Sequence, residues 1–344
     1  MPINPENNNR ARERLLRLIR EGHAVVLTGA GLSAWAGYPS WTELLDRLVT
    51  YISEHGDHAP AEEARAREIV DTHENPLQVA RQLGGMLAPS DFAAFINEEL
   101  GPKAKRSHEM VNIVASLPFR HFLTLNLDPT LYDALVLSRQ PFESFTCYQK
   151  NSLIKFVKSL SSTVEQYSRQ LVHLHGRHSD PLDNVALTTD GYNDLYGHDL
   201  FSRFFQTLAM TQRIVFVGFG FQDQNFMEPF RVAARSCMLE FCHFAIVPLS
   251  EDKDDARVRN KYRDEWCVEP IFYPKNANND GHGGYGEFRT EILRIAEELE
   301  ITPKHESQPA QKSTAAPSLD HDDTVRAEQL SNATLEQISG EDNV

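Results

Sequence analysis

What this chain has little of narrows its identity first. It carries four cysteines, Cys147, Cys237, Cys242 and Cys267, and none of them forms a C-x-x-C pair or stands with histidine at zinc-ribbon spacing. A structural zinc is therefore not expected, and the thiols read as small apolar filler in a reducing compartment. Long apolar runs are missing too. Nothing approaches the roughly 18 residues that cross a bilayer, and the opening MPINPENNNRARERLLRLIREG is polar before it is amphipathic. Neither a membrane span nor an export signal is expected, which points to the cytoplasm and to no membrane partner. Positive charge is scarce: 34 Lys and Arg face 49 Asp and Glu, a formal net charge of -15. A general nucleic-acid-binding surface needs clustered cations, so direct nucleic-acid binding is not expected beyond a local basic patch.

What is present suits an enzyme-sized α/β protein. With 344 residues and 41% hydrophobic content, the chain can bury one large core or two modest ones. Short apolar runs alternate with helical patterns, the arrangement of a doubly wound, mostly parallel Rossmann-like sheet with helical insertions and no zinc module. Five strands are expected, at Ala24–Thr28, His121–Leu125, Leu171–Leu174, Arg213–Gly218 and Phe244–Val247, with a sixth near Val268–Phe272. The stretch between the first two is too long for one crossover helix and reads as a helical insertion over about residues 43–118. A second helical segment is expected over about 152–169. The whole forms one expected catalytic domain, residues 12–298. Over 299–344 the composition turns to Ser, Thr, Ala, Pro and acids. Residues 301–344 hold eight Asp/Glu and three Lys/Arg, so 8 − 3 = 5 of the 15 net negative charges lie there. This tail is expected to be disordered, with a short helix over Thr324–Ile338 forming on a partner.

The most informative stretch is residues 25–41, VVLTGAGLSAWAGYPSW, where an apolar strand runs into a glycine turn and a helix. Gly29 and Gly31 allow a tight turn and close approach to an anion, and the amides near Ala30, Gly31 and Ser33 supply donors at a helix start. Gly29, Gly31 and Ala34 satisfy G-x-G-x-x-(G/A), so a dinucleotide site is the first candidate. The ends of later strands carry the remaining chemistry. TLNLDPT places Asn126 and Asp128 at one mouth, LVHLHGR places His175 and Gly176 at the next, and VFVGFGFQDQNF supplies Gly218, Phe219, Gly220 and Asp223. Each has a plainer alternative: Asp128 and Asp223 as helix caps, Ser33 as a cap, Trp41 as core, and either His173 or His175 as a structural histidine.

Taken in order, these motifs resemble the sirtuin superfamily. Gly29-Ala30-Gly31-Leu32-Ser33 with Gly37-Tyr38-Pro39 is similar to the family's first NAD motif. Thr124-Leu125-Asn126-Leu127-Asp128 is similar to its T-x-N-x-D segment, His175-Gly176 to the catalytic His-Gly, and Gly218-Phe219-Gly220 to the late glycine segment. The two C-x-x-C pairs of sirtuin deacylases are absent, and Ser40-Trp41-Thr42 stands where those enzymes have Asp-Phe-Arg. The chain therefore looks more like the zinc-free sirtuin-like proteins of bacterial antiviral systems. That resemblance implies a NAD hydrolase that depletes NAD on infection, with homo-oligomers and a separately encoded sensor such as a hexameric DNA-translocating ATPase or an Argonaute-like protein. NAD would be the substrate, and no metal would be needed.

The chemistry of the bond is consistent with so spare a set of residues. Nicotinamide leaves NAD as a neutral molecule, so the site must hold the pyrophosphate, stabilise oxocarbenium-like charge and orient a water with one base. In that scheme Asn126 orients the ribose or the water, and His175, with an ordinary pKa near 6.5, accepts a proton. Asp128 supports the nicotinamide ribose or carboxamide, Gly218, Phe219 and Gly220 approach the adenosine side, and Tyr38 or Trp41 covers the nicotinamide. Three rivals remain. A dehydrogenase needs a second strand and an acidic residue about 20 positions past the glycines, where this chain has the amphipathic LLDRLVTYISEHG. A deacylase or ADP-ribosyltransferase needs an acceptor. A non-catalytic nucleotide-sensing module would not require Asn126 or His175.

Overall fold

An N-capped helix delivers the chain into the middle of a sheet. Helix α1 (Pro5–Arg20) starts on Asn4, whose side chain accepts hydrogen bonds from the amides of Glu6 and Asn7, with Pro5 in the first turn where its missing N–H costs nothing. It leads into β1 (Ala24–Thr28), buried along its whole length. The computed structural model describes residues 3–55, 59–73, 75–103, 108–160, 169–197, 199–221, 223–236, 243–275 and 285–301. Cys237, Cys242, the residues of the acidic tail beyond 301 and the helix expected at Thr324–Ile338 lie outside the described residues.

After β1 come α2 (Ala30–Ala34), α3 (Trp41–His55), α4 (Ala59–Thr72), α5 (Pro76–Gly84), α6 (Pro89–Leu100) and α7 (Glu109–Ser116). The chain re-enters the sheet with β2 (His121–Thr124), then α8 (Thr130–Leu137), β3 (Phe142–Thr146), α9 (Lys150–Leu160) and β4 (Arg169–His173). Next follow α10 (Thr189–Tyr196), α11 (Asp199–Thr211), β5 (Arg213–Val217), α12 (Gln224–Ser236), β6 (His243–Leu249), α13 (Asp255–Trp266), β7 (Val268–Pro274) and α14 (Tyr285–Glu298).

The seven strands lie in the order β3-β4-β2-β1-β5-β6-β7, and every neighbouring pair is parallel. The doubly wound parallel sheet expected from the sequence is present, with one strand more than expected. That strand, β3, is a sheet edge: Phe142, Glu143 and Ser144 are only half-buried, and Glu143 pairs with Lys155 of α9. A short, polar edge strand lacks the continuous apolar run that marks a central parallel strand.

Strand residues alternate between two cores. Val25 and Leu27 of β1 pack with Leu123, Val172 and Phe216 on one face, while Ala24 and Val26 pack with Phe122, Leu171 and Val215 on the other. Full burial of such a side chain contributes about 1.5–3 kcal/mol, which makes the register costly to shift. A third core belongs to α3–α6, where Leu48, Ile52, Leu83, Phe95 and Ile96 close on one another and reach Leu127 and Val185. Helix α7 behaves differently, since its Met110, Val111 and Val114 pack on the sheet. The segment from 43 to 118 therefore splits into a four-helix lobe and a crossover helix.

Packing extends past both ends of the expected 12–298 domain. Asn8 clamps α1 to β7 with two hydrogen bonds to the Phe272 backbone, at 2.7 and 2.8 Å, and Leu299 and Ile301 rest on the sheet's second core. Among the described residues no helix is long and apolar enough to cross a membrane.

From β1 the chain moves outward to β2 and on to the edge strand β3, steps back to β4 between them, then returns to β5 beside β1. The turnaround leaves a crevice at the carboxyl ends of β1 and its neighbours, where open α/β sheets bind ligands. Register keeps this edge level, because Thr28 stands opposite Thr124 and Val217, and Thr124 opposite His173.

Candidate active site

On the β1/β5 side the site is made of backbone. Gly29 donates its N–H to Val217 O at 3.1 Å, and Gly31 donates to Gly218 O at 2.9 Å. A Cβ on Gly29 or Gly31 would meet Gly218 O at 2.8 or 2.9 Å, and one on Gly218, whose φ is +63°, would sit 2.5 Å from Leu32 N. The two glycine segments are therefore small because they press on one another. Gly31's amide, expected to serve an anion, is occupied by Gly218. Ala30's amide, at the start of α2, has no backbone acceptor among the described residues. Gly220 meets no protein atom within 4 Å where a Cβ would be, and Phe219 packs against Phe216 and Phe226.

Across the crevice the groups are side chains. Asn126, just past β2, donates its amide to Gly29 O at 2.9 Å and to Ser33 Oγ at 2.7 Å. A backbone carbonyl can only accept, so the Asn126 NH₂ must face it, and the side-chain oxygen is left for a ligand. Ser33, placed by the sequence near the pyrophosphate with a helix cap as the plainer alternative, lies inside α2 rather than at its cap, and its hydroxyl accepts from Asn126. Asp128 is buried and accepts the Thr130 amide at 3.0 Å. Burial pushes its carboxyl above the ordinary range, opposed by hydrogen bonds from Thr130 and Ser33.

The two histidines separate cleanly. His173 ends β4 in the packed sheet, where burial first and Arg177 second lower its pKa to about 3. His175 lies two residues beyond the strand, turned out by Gly176, whose φ is +85° and whose missing Cβ leaves room for the Asn184 carbonyl. Its Nε2 is 2.8 Å from the Tyr196 hydroxyl and its Nδ1 is 3.4 Å from that of Tyr192. Burial lowers the His175 pKa to about 4, against the pull of Asp223 in the other direction. The ordinary value near 6.5 expected for an exposed ring does not hold here, because the ring is enclosed by tyrosines and sheet. His175 is neutral throughout the physiological range and can accept a proton.

Asp223 caps α12 through the Phe226 amide at 3.1 Å and receives the Tyr192 hydroxyl at 2.9 Å, so capping and site chemistry coexist in one carboxylate. Tyr38 is buried, donates its hydroxyl to Gly101 O at 3.0 Å, and has its pKa pushed up to about 12 by burial and by Asp128. Trp41 opens α3 behind a capping box: Ser40 N–H donates to Glu43 at 2.7 Å, and Glu43 N–H returns to Ser40 Oγ at 3.3 Å. Ser40-Trp41-Thr42 thus begins a helix of the lobe.

Gly29, Ala30, Gly31, Ser33, Tyr38, Trp41, Asn126, Asp128, His175, Gly218, Phe219, Gly220 and Asp223 all line one cavity of about 480 Å³. That volume lies within the range of small-molecule sites. Among the described residues no Lys or Arg lines it, while two carboxylates do, so these walls favour a cationic group and leave phosphates to backbone amides. Sequence reasoning missed Tyr192, and also the far wall of Ile246, Pro248, Tyr273 and Phe288. A tyrosine pair four residues apart on α10 was the one available signal for the former, and such spacing usually means core. Among the described residues, no group of three or more His, Cys, Asp or Glu side chains is placed to hold a metal ion.

Comparison with known proteins adds a likeness to this geometry. Residues 120–271 match the SIR2-like domain, a span from the start of β2 into β7 that includes Asn126, His175 and Gly218. The NAD(+) hydrolase ThsA of Enterococcus faecium is 26% identical over 216 residues, covering 62% of this chain and 40% of that protein. Defense-associated sirtuin 2 of Bacillus subtilis is 26% identical over 213 residues, 60% of this chain and 19% of that protein. The chain thus spans well under half the length of the curated relatives it matches. A solved Sir2 homologue–NAD complex aligns over 84% of this chain and 93% of its own, at 12% identity and a TM-score of 0.42. Residues 120–271 are thus similar to the SIR2-like domain, and the chain is similar over about 60% of its length to ThsA and to a sirtuin-named relative.

Proposed function

We propose that this protein hydrolyses NAD at the nicotinamide–ribose bond, releasing nicotinamide and ADP-ribose, as the NAD-depleting effector of a bacterial antiviral (abortive infection) system. The observation that carries the reading is the meeting of His175 and Asn126, each fixed by its own hydrogen bonds, in one acid-walled cavity at the sheet's turnaround. The names of the ThsA and defence-associated relatives support the same reading.

In the reaction the C1′–N1 bond breaks and its electron pair stays with the nicotinamide nitrogen, which was cationic and leaves neutral. Positive charge develops on the ribose beside Asp128, and the two wall carboxylates favour it. Asn126 holds the ribose or the attacking water through its free oxygen. Water adds at C1′ and gives up its proton, with His175 as the acceptor. Ala30's amide and the Ser33 region hold the pyrophosphate, Gly218–Gly220 approach the adenosine, and Trp41 covers the nicotinamide. Where a dehydrogenase would place its second strand and ribose-binding acid, this chain has α3, which argues against hydride transfer. A cytoplasmic setting, homo-oligomers and a separately encoded sensor complete the proposal.

Purified protein given NAD alone, and with a candidate activating partner, should release nicotinamide and free ADP-ribose in equal amounts. If release required an acyl-lysine peptide or a protein acceptor, the activity would be deacylation or ADP-ribosyl transfer. If ADP-ribose bound but NAD stayed intact under every condition, the site would be a sensor and the proposal would be wrong.

A further inference from the structure

The tyrosines around His175 form an ordered chain of hydrogen bonds that the reaction outlined above does not use. Tyr192 donates its hydroxyl proton to Asp223 at 2.9 Å, because an ionised carboxylate can only accept. Having spent that proton, the Tyr192 oxygen can meet His175 Nδ1, 3.4 Å away, only as an acceptor. His175 therefore carries its hydrogen on Nδ1, and its lone pair on Nε2 receives the Tyr196 hydroxyl at 2.8 Å. The rings are set for this: Tyr192 and Tyr196 stand one helical turn apart on α10 and stack at 5.4 Å, and His175 packs on both. Burial raises both phenols well above their ordinary values, so they stay protonated as donors. Cys147 and Tyr148, which face the tyrosines from the β3–α9 connection, are likewise held neutral by burial.

We propose that Asp223 and Tyr192 are positioning residues that fix His175 in the Nδ1–H form and neutralise the charge it gains, rather than contacts to the cofactor. When Nε2 takes a proton from water or a ribose hydroxyl, one O–H bond breaks and one N–H bond forms. The new positive charge is met through Nδ1–H and the Tyr192 hydroxyl by the Asp223 carboxylate, and no second proton needs to move. Tyr196 covers Nε2 in the absence of substrate and gives way to the substrate's hydroxyl. The role in turnover rests on the NAD-cleavage reading, but the hydrogen-bond order itself does not.

Two measurements test this on the full chain. Nitrogen-15 chemical shifts of the His175 ring at neutral pH should report the Nδ1–H tautomer in the wild type and in Asp223→Asn, and a mixture in Tyr192→Phe. In nicotinamide-release assays Tyr192→Phe and Asp223→Asn should each lower kcat by about 10- to 100-fold, with KM within about threefold and thermal midpoints within a few degrees. An Nε2–H tautomer in the wild type would overturn the assignment, as would wild-type kcat in both variants. A wild type with the Nδ1–H tautomer but no NAD cleavage would leave the hydrogen-bond order standing and overturn only the reading of the site as a hydrolase.

Discussion

The two sides of the crevice are built on opposite principles. On the β1/β5 side, Gly29, Gly31 and Gly218 matter for what they lack, since their backbones touch where any Cβ would collide. On the β2/β4 side, Asn126, Asp128 and His175 matter for what they carry, each fixed by named partners. Substitution should therefore separate the sides: one loses chemistry with the fold intact, and the other loses the shape on which any binding depends.

The largest expected effect is collective and falls mainly on the β2/β4 side. Burial lowers His121 and His175 to about 4 and His173 to about 3 there, while His243 of β6, at about 3, is the only buried counterpart across the sheet among the described residues. An unfolded chain protonates these rings near pH 6.5, and the folded one does so only near 3 to 4. Stability is thus complete above about pH 6.5 and falls with acid until the folded pKa values are reached, by up to about 1.4 kcal/mol per pH unit per histidine. Denaturant midpoints taken from pH 7.5 to 5 should drop steeply. A flat profile would mean that the rings are open to solvent.

Next in size come the two residues to which the proposed reaction assigns the chemistry. His175→Ala and Asn126→Ala should each cut nicotinamide release by about 10³-fold, with ADP-ribose still binding and the thermal midpoint little changed. Full activity in either variant would remove that residue from the mechanism. The opposite pattern is expected from Gly218→Ala, which places a side chain at positive φ against Leu32. It should cost about 2–3 kcal/mol of stability, read as a lowered melting midpoint, together with loss of ADP-ribose binding. Smallest is Ser33→Ala, at one of the two points where Asn126 joins the sides. Asn126 would keep its bond to Gly29 O, so kcat should fall about tenfold and KM hardly at all.

Much of this was legible before any coordinates. The central strands announce themselves because strands buried on both faces must be mostly apolar, as AVVLT is. Their mouths announce themselves because polar residues directly after such runs have few other reasons to be there. Edge strand β3 was not legible, since FESFT is half-exposed and its Glu143 serves an ion pair. Nor was the role of Tyr192, because aromatics one turn apart on a helix signal a core and carry no hint of the histidine they meet.

The sequence by itself determined the elements and the types of group at their ends, because both follow from local pattern: apolar runs, glycine turns and polar residues placed after them. Tertiary structure alone decided how those groups act. Whether Gly31's amide faces an anion or Gly218, whether His173 or His175 opens to the cavity, and how far a ring's pKa falls all depend on neighbours that arrive from distant strands. Desolvation and hydrogen-bond direction are properties of those encounters, and no stretch of chain contains them.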